Sequence, residues 1–306
     1  NNKKLKIMKT IKQRISYAVM GLMAIGFAAC TQNEDMTPTL KGQEINATFS
    51  VGGMQTRVNT LGHGDNWEND DLISVLQIYG DESTRTGKYK YIEENGQARW
   101  NSVNTIRWER EERCELIAWY HSDITNPFIY NLHPDQSDED LLKRADLING
   151  YWYGIPRIYV DIPMKHRMSM VTIVYHVGTA DYPNMDISEP QVYSKHTRVS
   201  FERDLEQKQF VMSSPTGNPN WVNACLHDGN MFSAIVIPGS YKTNEIFLKF
   251  KIGDKNFHAK MKSDTDFKEG ERYTYKLDVG KDEVKLTQIS VDDLKGWDSN
   301  NEEELK

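Results

Sequence analysis

The chain has 306 residues, of which 37 are Lys or Arg and 44 are Asp or Glu, a formal charge of −7. This acidic balance argues against a nucleic-acid partner, because duplex binding depends on basic patches that release counterions. The three cysteines include no CxxC pair and no His/Cys array of zinc spacing, so neither a disulfide scaffold nor a zinc site is expected.

The N-terminal segment carries Lys3, Lys4, Lys6, Lys9, Lys12 and Arg14 without an acid, then a mostly apolar run from Ile15 to Ala29. That run is shorter than the roughly 20 apolar residues of a membrane-spanning helix. It reads as a secretory signal peptide over residues 1–29, with Met8 the expected initiator. Ala28 and Ala29 precede Cys30, and the junction resembles the lipobox of bacterial lipoproteins, although Phe27 stands where an aliphatic residue is usual. Cys30 is therefore the expected lipidated residue, carrying diacylglycerol and palmitate. Loss of residues 1–29 leaves 31 basic against 44 acidic residues, a formal charge of −13. Residues 30–43 are polar, without periodicity, and read as a tether.

The folded part is expected to begin at residue 44. Ile45, Ala47, Phe49 and Val51 alternate with polar residues and predict a half-buried strand. "LISVLQIY" (from Leu72) and "CELIAWYH" (from Cys114) are apolar on both faces, as central strands are. Asn95-Gly96 between two extended runs predicts a hairpin. Between His121 and Tyr153, prolines and polar clusters read as connection, with a short helix capped by Ser137. Alternation resumes with Val171, Ile173, Tyr175 and Val177 on one face. Further strands are expected at "TRVSFER", "FSAIVIP", "NEIFLKFKI", "NFHAKM", "RYTYKLDV" and "VKLTQISV". Short strands between turn residues, with almost no helical period, predict an all-β chain of two sandwiches, residues 44–157 and 158–306. In the last strand Val284, Leu286, Ile289, Val291 and Leu294 break one clean alternation, and a bulge near Thr287-Gln288 would restore it.

No GxSxG, P-loop, HExxH or GxGxxG motif occurs, so no catalytic residue, cofactor or metal ligand is assigned and no enzyme is expected. His121 with Asp123, and His227 with Asp228, read as turn or surface residues. The acidic loop "GHGDNWENDD" from Gly62 to Asp71 lacks EF-hand spacing and reads as solvated. Cys114 and Cys225 read as two separate buried thiols. Most of the aromatic residues lie inside apolar runs, leaving Trp152 in "GYWYG" as the aromatic cluster to check for exposure.

Several of these segments carry a likeness. The lipobox, Thr56-Arg57 after the first strand, Trp67 with "DDLISV", "LIAWYHSD", "HRMSMVTIVYHV" from His166, "FSAIVIP" and the run from Phe267 through "GERYTYKLDV" follow one another in the order found in fimbrillins. These are the pilins and related surface lipoproteins of Bacteroidales. The resemblance covers nearly all of the mature chain. It implies two tandem transthyretin-like β-sandwich domains, outer-membrane anchoring at the cell surface, and a fimbrial subunit serving adhesion. In polymerising members the chain is cut after an arginine at the end of the first strand, and a C-terminal strand of another subunit fills the vacated groove. Carried onto this sequence, the resemblance makes Arg57 the processing site and "INATFSV" the strand removed. Val284, Leu286, Ile289, Val291 and Leu294 then belong to the donor strand. Partners are other pilin subunits, the outer membrane through the lipid, and host or bacterial surface ligands. The charged end "DSNNEEELK" departs from a hydrophobic donor. A reading from another class is a permanently anchored glycan-binding lipoprotein, which predicts several exposed aromatics on one face.

Overall fold

A computed structural model describes residues 39–51, 67–120, 124–178, 186–280 and 284–293. The alternation at the start forms β1 (Asn46–Val51), with Ala47, Phe49 and Val51, and Ile45 just before it, turned inward. The two runs that are apolar on both faces form β2 (Leu72–Tyr79) and β5 (Cys114–Tyr120). Between them lie β3 (Thr84–Glu94) and β4 (Gln97–Asn104), joined at Asn95 (φ 53°) and Gly96 (φ 71°). Left-handed values at both central residues match the right-handed strand twist, which is what an Asn-Gly hairpin supplies.

The sequence "YVDIPMKH", alternately exposed and buried, forms β8 (Tyr159–His166), and β7 (Ile148–Gly154) lies beside it. Together these make one seven-stranded sheet in the order β1-β8-β7-β5-β2-β3-β4. The sheet thus runs past Arg157. It curls until its edges meet: Gly42 N donates to Trp108 O (2.6 Å), Trp108 N to Gln43 O (3.0 Å) and Ile45 N to Ile106 O (3.1 Å). One face of the curl encloses a core containing Ile45, Phe49, Val75, Tyr89, Trp108 and Leu116. The opposite face gives Ile78 and Ile117 to a second, larger core. That division is why β2 and β5 had to be apolar on both sides.

β7 and β8 approach closely at Gly150, where a Cβ would run into the Pro163 carbonyl oxygen and lie 2.9 Å from Met164 Cγ. Gly150→Ala is expected to destabilise the fold by about 2–3 kcal/mol through overpacking, measured by urea denaturation. A loss below about 0.5 kcal/mol would show that the sheet gives way there at little cost.

The stretch expected to be connection instead supplies core. It holds β6 (Ile129–Asn131) and α1 (Glu139–Ala145), and Tyr130, Leu142, Ala145 and Leu147 are all buried. The helix cap is Asp138 rather than Ser137: its side chain accepts from Leu141 N, with Glu139 and Asp140 in the first turn. The carboxylate is the stronger acceptor at a helix start, and the aligned peptide dipoles favour its charge.

Beyond it come β9 (Ser169–Val177), β10 (Ile187–Ser194), β11 (Arg198–Asp204), β12 (Gln209–Met212), β13 (Asn220–Asn223) and β14 (Cys225–His227). They are followed by β15 (Met231–Val236), β16 (Gly239–Tyr241), β17 (Ile246–Ile252), β18 (Lys255–Lys260), β19 (Thr265–Phe267), β20 (Glu271–Val279) and β21 (Val284–Asp293). A five-stranded sheet, β14-β15-β9-β20-β21, and a four-stranded one, β13-β10-β17-β18, dominate this part. The three-stranded sheet β12-β11-β6 takes its β6 from the segment before α1. Val171, Ile173, Phe232, Phe247, Phe250 and Leu277 lie in the larger core. Among the described residues the fold is all-β apart from the short α1.

Candidate functional site

β1 is an edge strand held in an apolar groove. It pairs in parallel with β8 from Asn46↔Tyr159 to Val51↔Met164. Ile45, Ala47, Phe49 and Val51 point inward and are nearly or fully buried. Phe49 meets Tyr89 and Trp100 edge-on, with ring centroids at 5.5 and 4.8 Å. On the solvent side Thr48 Oγ1 and Ser50 Oγ donate to the two oxygens of Asp161 (3.0 and 3.1 Å), and Asn46 Nδ2 donates to Ile158 O (3.2 Å). Away from β8, side chains reach the β1 backbone: Tyr89 Oη donates to Ile45 O (2.7 Å) and Trp67 Nε1 to Phe49 O (2.9 Å). Burial pushes the Tyr89 phenol well above its ordinary pKa, so it stays a donor at physiological pH. The strand is therefore fixed by one backbone ladder and by burial of about 1.5–3 kcal/mol for each large apolar side chain. Another extended segment with the same alternation could use the same groove.

The segment expected to donate is also an edge strand. β21 closes the five-stranded sheet against β20, in register from Val279↔Val284 to Glu271↔Asp293. The register slips between Thr274↔Ser290 and Tyr275↔Gln288, so the extra residue is Ile289. The bulge expected near Thr287-Gln288 thus sits one residue further on. Leu286 is buried and Val284 half-buried, whereas Ile289 and Val291 are 39% and 44% exposed. Half of this strand's apolar side chains consequently have no place in its own core. Leu294, Cys30 and Arg57 lie outside the described residues. The groove and the donor segment stand in different sheets and are not brought together within one chain.

The rest of the chain offers little to chemistry. Among the described residues no group of three or more His, Cys, Asp or Glu is placed to hold a metal ion. In the acidic loop, Asp70 pairs with Lys90 (2.7 Å), and Asp71 accepts from the Tyr120 hydroxyl (2.7 Å); His121 and Asp123 lie outside the described residues. Trp152 is half-buried and tilts on Trp108 at 5.9 Å. Cys225 Sγ lies 4.0 Å from His227 Nδ1, a pairing that would suit a nucleophile only if the thiol ionised readily. Burial instead pushes Cys225 up to about 11 and Cys114 up to about 12, and both are free thiols. Neither is expected to react with iodoacetamide at neutral pH until denaturant is added, which mass spectrometry of the alkylated protein would show. Rapid labelling of Cys225 in the native protein would contradict this.

A family model described as fimbrillin-like matches residues 56–293. The chain belongs to the fimbrillin-like family. No curated protein matches it as a relative. Among solved structures, a Bacteroides uniformis protein assigned to cell adhesion is 16% identical, with a TM-score of 0.59 over 82% of this chain and 98% of that one. A Bacteroides ovatus protein with the same assignment is 17% identical, with a TM-score of 0.57 over 83% of this chain and 98% of its own. A third, from Bacteroides fragilis, is 9% identical, with a TM-score of 0.51 over 84% and 99%. At these identities the likeness concerns the fold. No described helix of this fimbrillin-like chain is long and apolar enough to cross a membrane.

Sequence reasoning missed the residues that hold β1 in place: Asp161, Tyr89, Trp67 and Trp100. The signal for Asp161 was available in the alternation of Val160, Ile162 and Met164, which Pro156 and Pro163 obscured. β8 pairs with β7 only over Met164–His166, so Pro163 lies outside that pairing and its missing N–H breaks no ladder bond on that side.

Proposed function

We propose that this fimbrillin-like protein is a fimbrial subunit, exported as a lipoprotein and held in the outer membrane through Cys30. Cleavage after Arg57 releases β1, and the strand carrying Val284, Leu286, Ile289, Val291 and Leu294 of another subunit enters the vacated groove. The two transthyretin-like sandwiches of the family correspond, in this reading, to the sheet ending at β8 and to the sheets that follow it. The role is structural and adhesive at the cell surface, rather than enzymatic. The carrying observation is that β1 forms a strand ladder with β8 alone, while β1 and Ile45 just before it place four apolar residues in a groove. A released β1 leaves unpaired backbone and bare apolar surface, which only another strand satisfies on both counts. The adhesion assignments of the three similar structures agree with this role.

Mass spectrometry of surface material tests the processing: the expected mature N-terminus is Val58, and chains that all retain residues 30–57 would contradict it. Cys30→Ala is expected to abolish labelling by a fatty-acid probe and shift the precursor out of the membrane fraction, since each buried methylene contributes about 0.8 kcal/mol. Unchanged labelling would refute the anchor.

A further inference from the structure

We propose that the outer face of the sheet β13-β10-β17-β18 binds an acidic glycan, one whose sugars carry uronate carboxylates. All four strands contribute to it. Asn223, Gln191, Lys249 and His258 lie opposite one another in a single row across the sheet. Gln191 Nε2 donates to Asn223 Oδ1 at 2.8 Å, which aligns the two amides. Beside that row the cross-strand partners Tyr193 and Trp221 are half-buried, their ring centroids 5.1 Å apart. On the other side Lys251 faces Asn256, and its ammonium pairs with Glu189 at 2.7 Å. A groove of about 360 Å³ runs along Gln191, Lys249, Lys251, Asn256 and His258.

The charge of this face runs against that of the molecule. On the face Lys249, Lys251, His258 and Lys260 stand against Glu189, which pairs with Lys251, and Asp135, which bonds Asn223 at the far edge, in a chain of formal charge −7. Lys249 serves both halves of the face: its Nζ lies 4.0 Å from the Trp221 ring centroid, and the residue also lines the groove. Aromatic rings accept the apolar face of a pyranose, side-chain amides match its vicinal hydroxyls, and lysines take its carboxylates in charge-assisted hydrogen bonds. A basic face alone would take any polyanion, and aromatics alone any sugar. Their juxtaposition selects a sugar that bears a negative charge. Neither β1 nor β21 belongs to this sheet, so the inference stands apart from strand exchange.

The test is calorimetric titration of the purified full chain with oligogalacturonate, its fully methyl-esterified form, polyphosphate, and phosphatidylglycerol vesicles. Oligogalacturonate is expected to bind, the neutral ester at least about tenfold more weakly, and Trp221→Ala or Lys249→Gln to weaken the uronate at least about tenfold. Polyphosphate is expected to ignore Trp221→Ala. Absence of oligogalacturonate binding, equal binding of the ester, or tighter binding of polyphosphate or vesicles would overturn the proposal. This ligand series on the unaltered protein decides the matter even if Trp221→Ala misfolds. A folded Trp221→Ala that keeps its uronate affinity would reduce the face to bare charge and overturn it equally.

Discussion

Phe49→Ala is expected to lower the unfolding free energy by about 3–5 kcal/mol, as removal of a buried aromatic side chain does. The ring is 4% exposed and wedged edge-on between Tyr89 and Trp100, so truncation removes its own burial and leaves a void between those rings. The polar side of the same strand should matter far less. Thr48 and Ser50 bond Asp161 at the surface, and Thr48→Ala is expected to cost no more than about 1 kcal/mol. Paired urea titrations separate the two. Similar losses would mean that β1 is held by its outer hydrogen bonds, and a replacement strand would then need polar rather than apolar complementarity. If the inward side chains hold β1, a Phe49→Ala chain cut after Arg57 should release its first strand faster than the cut wild type.

Truncation after Asp282 is expected to have the largest effect on assembly. It removes all of β21 and leaves the β1 groove untouched, because the two lie in different sheets. Such a chain can accept a strand and has none to donate, so each one incorporated ends a polymer. Added in excess to wild-type subunits, it is expected to shorten the oligomer distribution rather than dilute it. The body that remains loses the buried Leu286 and the half-buried Val284, keeps the rest of the larger core, and gains β20 as its edge. It is therefore expected to stay folded, with a β-type circular-dichroism spectrum. Normal polymer lengths from the truncated protein would exclude β21 as donor.

Much of the architecture was legible in the alternation. The inward set Ile45, Ala47, Phe49 and Val51, the hairpin at Asn95-Gly96 and the buried face of β9 all follow from a period of two and from one turn chemistry. Pairing was less legible. That β1 would lie parallel to β8, more than a hundred residues away, is a long-range choice that no local pattern encodes. The segment around α1 was misjudged for a related reason. Leu142 sits on a helix of only two turns, and Tyr130 and Leu147 are spaced among prolines and acids without a period, yet each fills a place in a core built by other elements. The bulge was predictable because the mismatch among Val284, Leu286, Ile289 and Val291 demands an extra residue, though not which one. The glycan-facing sheet was the least visible. Trp221, Gln191 and Lys249 are far apart in sequence, and only the register of three strands sets them side by side.

The measurement that tests strand exchange most directly is gel electrophoresis of unboiled surface extracts from cells making wild-type protein or Arg57→Ala. Exchanged strands bury several apolar side chains along a backbone ladder, and such joints commonly withstand detergent at room temperature. Wild-type extracts are predicted to show a ladder of oligomers that collapses to monomer on boiling. Arg57→Ala extracts, with β1 still in its groove, are predicted to show only lipidated monomer. Identical ladders from both would contradict exchange into the β1 groove.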